Sequence, residues 1–315
     1  MTLESKRHYC VPLLIAAICA LSCSTGDVRM GMAGGDGTGL AYRVVGQGEF
    51  LVVIHDGPGG EKSILYDGFD YLARTMKVVY YDQRGCGRSE PLAASQSCTI
   101  EDNVEDLEAL RAYLHIDRFS IAAHGWGAVI AIEYARRHPE RVEAIVLVTP
   151  VSPHEPGLHL DGLMNRLPEE GQRHVQAVLD NPSTTMFEKR EEFVRAVMPL
   201  LFYDQGARDR VDLEKMRYSP DVDSRLSAEL KSFNLYPRLN GIGIPTLVVA
   251  GRHDVLTPLT EQMAYVDGIL TSRAVVFNDS AHFPFLEERK AFMRQVGTFF
   301  SHGAIPSLAS AGEDP

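Results

Sequence analysis

The sequence predicts an α/β fold: a doubly wound, mostly parallel sheet with a helical cap inserted between two of its strands. Three observations carry this. Short apolar, β-branched runs recur along the chain, of the kind buried on both faces of a parallel sheet. Helical periodicity fills the gaps between them, which calls for right-handed crossovers. The alternation then stops between Val151 and Arg238, where charged, helically periodic sequence carries no good strand. With 315 residues, 45% of them hydrophobic, the chain is long enough to bury a large core.

The first 22 residues stand apart. Lys6 and Arg7 precede an apolar stretch from Val11 to Leu21, which ends in Ala20-Leu21-Ser22-Cys23. A positive start, a short apolar run and small residues at its end describe a signal peptide, and the run is too short to span a bilayer. Ala-Leu-Ser before Cys23 resembles a bacterial lipobox, which implies cleavage before Cys23 and a lipid on that residue. The alternative is a soluble exported protein, cut at the same place. Export is expected either way, to the periplasm or cell envelope, with membrane contact only through the anchor. Cys10 and Cys19 leave with the signal, while Cys86 and Cys98 remain where disulfides can form. Sequence leaves their pairing open.

Residues 23–37 read as a small, polar, glycine-rich tether. Within it and just beyond, Gly34 to Gly39 has the glycine spacing of a dinucleotide loop. No strand is expected before it, however, and a strand follows where a helix should. The first part of the core is expected over 38–150. It holds strands at Leu51–Ile54, Val78–Tyr81, Phe119–Ala122 and Ile145–Val148, and helices at Glu101–Leu114 and Gly127–Arg137. The cap spans 151–238. The second part of the core covers 239–303, with strands at Thr246–Ala250 and Ala274–Phe277 and a helix at Glu287–Phe300. The tail, 304–315, is small, polar and expected to be disordered.

The formal net charge is −11 with no polybasic run, so nucleic acid is not an expected partner. The histidines lack the short spacings of zinc motifs, and no Walker loop appears, so neither a metal nor a cofactor is expected. A small molecule or short peptide is the expected ligand; oligomeric state is not legible.

Chemistry concentrates at strand ends. Residues 122–127, Ala-Ala-His-Gly-Trp-Gly, fall where a strand turns into a helix and where a G-x-S-x-G motif presents a nucleophilic serine. The apex here is Gly125, which has no hydroxyl. His55-Asp56-Gly57-Pro58-Gly59-Gly60 and the segment Asp82 to Ser89 follow two earlier strands. Gly251-Arg252-His253-Asp254 and Ala281-His282-Phe283 follow the last two.

Taken in this order, the five segments resemble the α/β-hydrolases of the proline iminopeptidase-like branch, a family of serine peptidases and esterases. The resemblance runs from about Gly37 to Phe300. It implies hydrolysis of an ester or an N-terminal peptide bond, with Gly125 at the position of the lost serine, His282 as general base and Asp254 as its orienting acid. It also implies an oxyanion hole from the backbone N–H groups of Gly57 and Trp126. The Asp82–Ser89 segment would brace that turn without chemistry of its own. His124 and Trp126 read as packing, the side chain before the apex being expected to point away from the site.

Two residues depart from the family pattern. Loss of a serine nucleophile costs on the order of a millionfold in rate, though a glycine relaxes the turn. Asp56 stands where the family has glycine; its carboxylate would oppose a developing oxyanion or contact a cationic group of the substrate. Three functions follow as alternatives: weak or non-nucleophilic catalysis by His282 and Asp254, a non-catalytic ligand-binding pseudoenzyme, or an ordinary hydrolase in which only the serine has been exchanged. On the last, Gly125→Ser alone would restore activity.

Overall fold

A computed structural model describes residues 28–34, 38–155, 163–211 and 216–301. The signal segment, Cys23 and the tail lie outside them. Among the described residues no helix is long and apolar enough to cross a membrane.

One eight-stranded sheet organises these residues, in the order β1-β2-β4-β3-β5-β6-β7-β8. β1 (Arg29–Ala33) and β2 (Leu40–Gly46) are antiparallel to their neighbours. From β3 (Glu49–Ile54) and β4 (Met76–Tyr81) through β5 (Phe119–His124), β6 (Val142–Val148), β7 (Thr246–Gly251) and β8 (Ser272–Phe277) every pairing is parallel. The expected strands are therefore present, each extended by one to three residues where less apolar sequence continues the ladder.

β1 corrects the expectation of a plain tether over 23–37, and with it the expectation that no strand precedes Gly34. Met30 and Met32 are exposed, so no alternating burial marks the strand. Its backbone is held by the ladder to β2, and Gly31 lies under the Tyr42 ring, where a Cβ would meet the phenol oxygen at 2.5 Å. Pairing at a sheet edge needs backbone, not hydrophobic side chains.

Helices cover both faces. α1 (Ile100–Tyr113) and α2 (Gly127–Arg137) bury Val104, Leu107, Val129 and Ile132 against one face, joined by Tyr265 of α6 (Leu259–Gly268). α7 (Arg289–Ser301) packs Phe292, Val296 and Phe299 on the other, with Phe69 and Phe285. Thr99 starts α1 through a capping box with Asp102. α3 (Glu169–Asp180), α4 (Met186–Val197) and α5 (Pro220–Leu230) form the helical insertion. Leu163, Leu167, Val175, Phe193 and Val197 give it a small core of its own, while Val222, Leu226 and Leu230 of α5 join the main core. Cys86 and Cys98 are buried and free.

Candidate active site

The strand ends build the site from a rigid frame. His55, fully buried at the end of β3, donates from Nδ1 to the Asp56 carbonyl and accepts the Gln83 backbone N–H at Nε2. Burial lowers its pKa, in keeping with this neutral tautomer. Gln83 also donates to the His55 carbonyl and accepts from the Trp126 indole N–H at 2.7 Å. Asp82 receives the backbone N–H of Lys62 and of Arg88 and pairs with the Lys62 ammonium. The Asp82–Ser89 segment thus clamps the loop after β3 to the start of α2.

Between β5 and α2 the chain turns at Gly125, with φ +51°. A β carbon at this position would lie 1.9 Å from Asp56 Oδ1. The Asp56 carboxylate therefore fills the space that a side chain at the apex would use. Its Oδ1 accepts the Trp126 backbone N–H at 2.6 Å, at the N-terminal end of α2, where the helix dipole favours an anion. Its Oδ2 lies 2.9 Å from His282 Nε2. Asp56 does point into the site, and the cation it meets is the protein's own histidine. The expectation of an open Trp126 amide is corrected by the same geometry: that donor is occupied by Asp56. Gly57 lines the cavity beside it, and the Gly57–Pro58 peptide is cis.

His282 is fully buried after β8, and its Nδ1 lies 2.8 Å from Asp254 Oδ2. Asp254 also accepts from the backbone N–H of Leu256 and Thr257 and from the Thr257 hydroxyl. It both caps a turn and orients the imidazole. Burial disfavours charge on His282, but the Asp254 and Asp56 carboxylates outweigh it and push its pKa up to about 10. Burial would raise the Asp56 pKa; the hydrogen bond from His282, the neighbouring histidines and the Trp126 N–H instead hold it down at about 2. At neutral pH the site is an imidazolium between two carboxylates.

His124 departs from expectation. Its ring does not turn away: it sits 4.7 Å from the His282 ring and lines the cavity. Its Nε2 donates to the His282 carbonyl at 2.9 Å, an acceptor shared with the Thr149 hydroxyl. Burial, then the nearby positive His282, lowers its pKa to about 4, so the ring is neutral. Nδ1 is left buried without a hydrogen-bond partner. The strand-end alternation that predicts an inward apex and an outward neighbour fails because the loop after β8 folds back over β5.

A cavity of about 150 Å³, between core and cap, opens onto Asp56, Gly57 and His124. Its walls are mostly apolar, from Ile64 and Phe283 of the core and from Leu163, Val197, Met198 and Leu201 of the cap. The Leu201 carbonyl accepts the His282 backbone N–H at 3.0 Å, tying the cap to His282. Gln83, Thr149 and Glu287 were not singled out in the sequence. A signal for Asp56 was present, since one motif loses a side chain while its neighbour gains one.

The arrangement agrees with what the chain resembles. A family model described as "alpha/beta hydrolase fold" matches residues 51–289. A proline iminopeptidase of Neisseria meningitidis serogroup A is 31% identical over 245 residues, 68% of this chain and 76% of that protein. One of Heyndrickxia coagulans is 28% identical over 272 residues, 81% and 92% of the two chains. Among solved structures, the proline iminopeptidase-related protein of Thermus thermophilus superposes with a TM-score of 0.68 at 25% identity, over 88% of this chain and 99% of that one. The chain belongs to the α/β-hydrolase fold family, in its proline iminopeptidase-like branch.

Proposed function

We propose that the protein hydrolyses an ester or an N-terminal peptide bond by direct attack of water, without an acyl-serine intermediate. The observation that supports this most is the unbroken Asp56–His282–Asp254 chain, whose Asp56 end lines an apolar cavity. The relatives that are named proline iminopeptidases supply the substrate class. Water adds to the carbonyl carbon and its proton passes to the Asp56–His282 pair. The C–O or C–N bond then breaks as the leaving group takes a proton back. An incoming carbonyl must displace Asp56 from the Trp126 N–H to use that amide, so turnover is slow relative to a serine enzyme.

A ligand-binding role is favoured by one specific feature, the occupation of the Trp126 N–H by Asp56. The reading in which only the serine was exchanged is opposed by the 1.9 Å clearance at Gly125. Assays on short-chain aryl esters and prolyl or alanyl arylamides separate these readings. Slow turnover is expected without a pre-steady-state burst, lost in His282→Ala, with no labelling by a serine-reactive phosphonate. Absence of turnover at every pH, with saturable ligand binding retained, would establish the binding protein. We further propose export with lipid attachment at Cys23, which mass spectrometry of the N-terminus from a bacterial host decides.

A further inference from the structure

Two imidazoles and a carboxylate converge where the serine hydroxyl is missing. One ring nitrogen of His124, one of His282 and a carboxylate oxygen of Asp56 all lie within 4.8 Å of one another. These residues come from the ends of three strands, 68 and 158 positions apart along the chain (124 − 56 and 282 − 124), which is why no short-spaced motif announces them. We propose that Asp56, His124 and His282 form a binding site for a divalent transition metal of the zinc class.

Three features beyond proximity support it. First, His124 is 1% exposed, and the His282 carbonyl fixes its tautomer, because only Nε2–H can donate to it. That leaves an unprotonated Nδ1, buried without a partner, which is the form of imidazole that binds metals. Second, each donor residue already has the outer partner that metal ligands use. His282 Nδ1–H faces Asp254, His124 Nε2–H faces a backbone carbonyl, and Asp56 Oδ1 takes the Trp126 N–H. Third, Gly125 is what admits the carboxylate, since a β carbon there would overlap it.

Two nitrogens and one carboxylate oxygen are the donor set of three-ligand catalytic zinc sites, which leave a fourth position for water. Nitrogen donors select zinc, cobalt or iron over calcium and magnesium. Tetrahedral zinc at 2.0–2.1 Å from each ligand needs donors about 3.4 Å apart. The group therefore closes by roughly an ångström as the metal enters and the proton between Asp56 and His282 leaves. Asp56 and His124 line the apolar cavity, from which a metal-held water would stand in for the serine hydroxyl. That last role rests on the hydrolase reading; the binding itself does not.

The test uses the full chain, stripped with a chelator and titrated with zinc, with metal counted by mass spectrometry and affinity read by calorimetry. One zinc per chain is expected. Asp254→Asn should weaken binding about 10–100-fold, and His124→Gln and Asp56→Asn by more than that. Circular dichroism checks that each variant is folded. Cobalt substitution in the unmutated protein should give the visible absorption of a tetrahedral nitrogen and oxygen site, which needs no variant. No zinc taken up, or full stoichiometry and affinity kept in both folded His124→Gln and Asp56→Asn, overturns the site. Zinc bound as expected without any esterase activity sustains the site and removes the hydrolase reading. Turnover by chelator-treated protein, unchanged on adding zinc, removes the metal's part in the reaction.

Discussion

Asp56 and Gly125 are coupled. The Asp56 side chain after β3 occupies the room that a side chain at position 125, after β5, would need, and it bonds both the His282 imidazole and the Trp126 amide at the N-cap of α2. Gly125→Ser alone therefore cannot restore a serine site. It should destabilise the fold by roughly 1–3 kcal/mol through overpacking and remain unlabelled by phosphonate. Asp56→Gly with Gly125→Ser should recover labelling and a burst of ester hydrolysis. Phosphonate labelling of the single variant at position 125 would contradict this account. Asp56 and His282 together set a pH dependence for the chelator-treated protein. Asp56 has a folded pKa of about 2, below its ordinary 3.8, so its stabilisation is complete above about 4 and fades as pH falls toward 2. His282 has a folded pKa of about 10, above its ordinary 6.5, so its contribution is complete below 6.5 and is lost as pH rises to 10. Urea unfolding should show stability declining from pH 6.5 to 10, and His282→Gln should flatten that limb.

At the scale of elements, what positions the site is the bracing of loops at strand ends. Arg84 forks onto both oxygens of buried Asp106 of α1, at 2.7 and 2.8 Å, and donates to the carbonyls of Ser97 and Asp102. This pins the segment that carries Gln83 against α1. Arg84→Ala leaves the Asp106 carboxylate buried and unpaired, at a cost of about 3 kcal/mol. Because Gln83 holds both His55 and the Trp126 indole, activity should fall further than the stability loss explains, while Arg84→Lys recovers little of the fork. Thermal unfolding and kcat/KM measured side by side check both. The six strands from β3 to β8 and α1 and α2 were legible because apolar runs and helical periodicity mark them. β1 was not, since most of its residues are exposed and the ladder to β2 holds its backbone.

Across the whole molecule, one carboxylate joins the cap to the loop that carries His282. Glu287 Oε1 accepts the backbone N–H groups of Tyr203 and Asp204 on the cap side, at 2.6 and 2.9 Å. Its Oε2 accepts those of Ala281 and Phe283 on either side of His282, at 2.9 and 3.4 Å. Glu287→Ala strands these donors and should cost roughly 2–4 kcal/mol. Limited proteolysis should then open first near residues 203–211, and substrate affinity should weaken because the Leu201 wall is no longer held over His282. A variant as stable and as protease-resistant as the parent would show that the cap is held elsewhere.

The sequence by itself determined the α/β class, the mostly parallel character of the sheet, the helical insertion and the pairing of Asp254 with His282. These follow from local signals: periodicity of burial, turn residues, and a recognisable order of short segments after strands. It also named Asp56 and Gly125 as departures. Only the tertiary structure decided that the two departures touch, that His124 turns toward His282, and that the Trp126 amide is already bound. Those outcomes depend on distances between the ends of β3, β5 and β8, set by sheet register and by how the last loop folds over the elbow. No spacing along the chain encodes them.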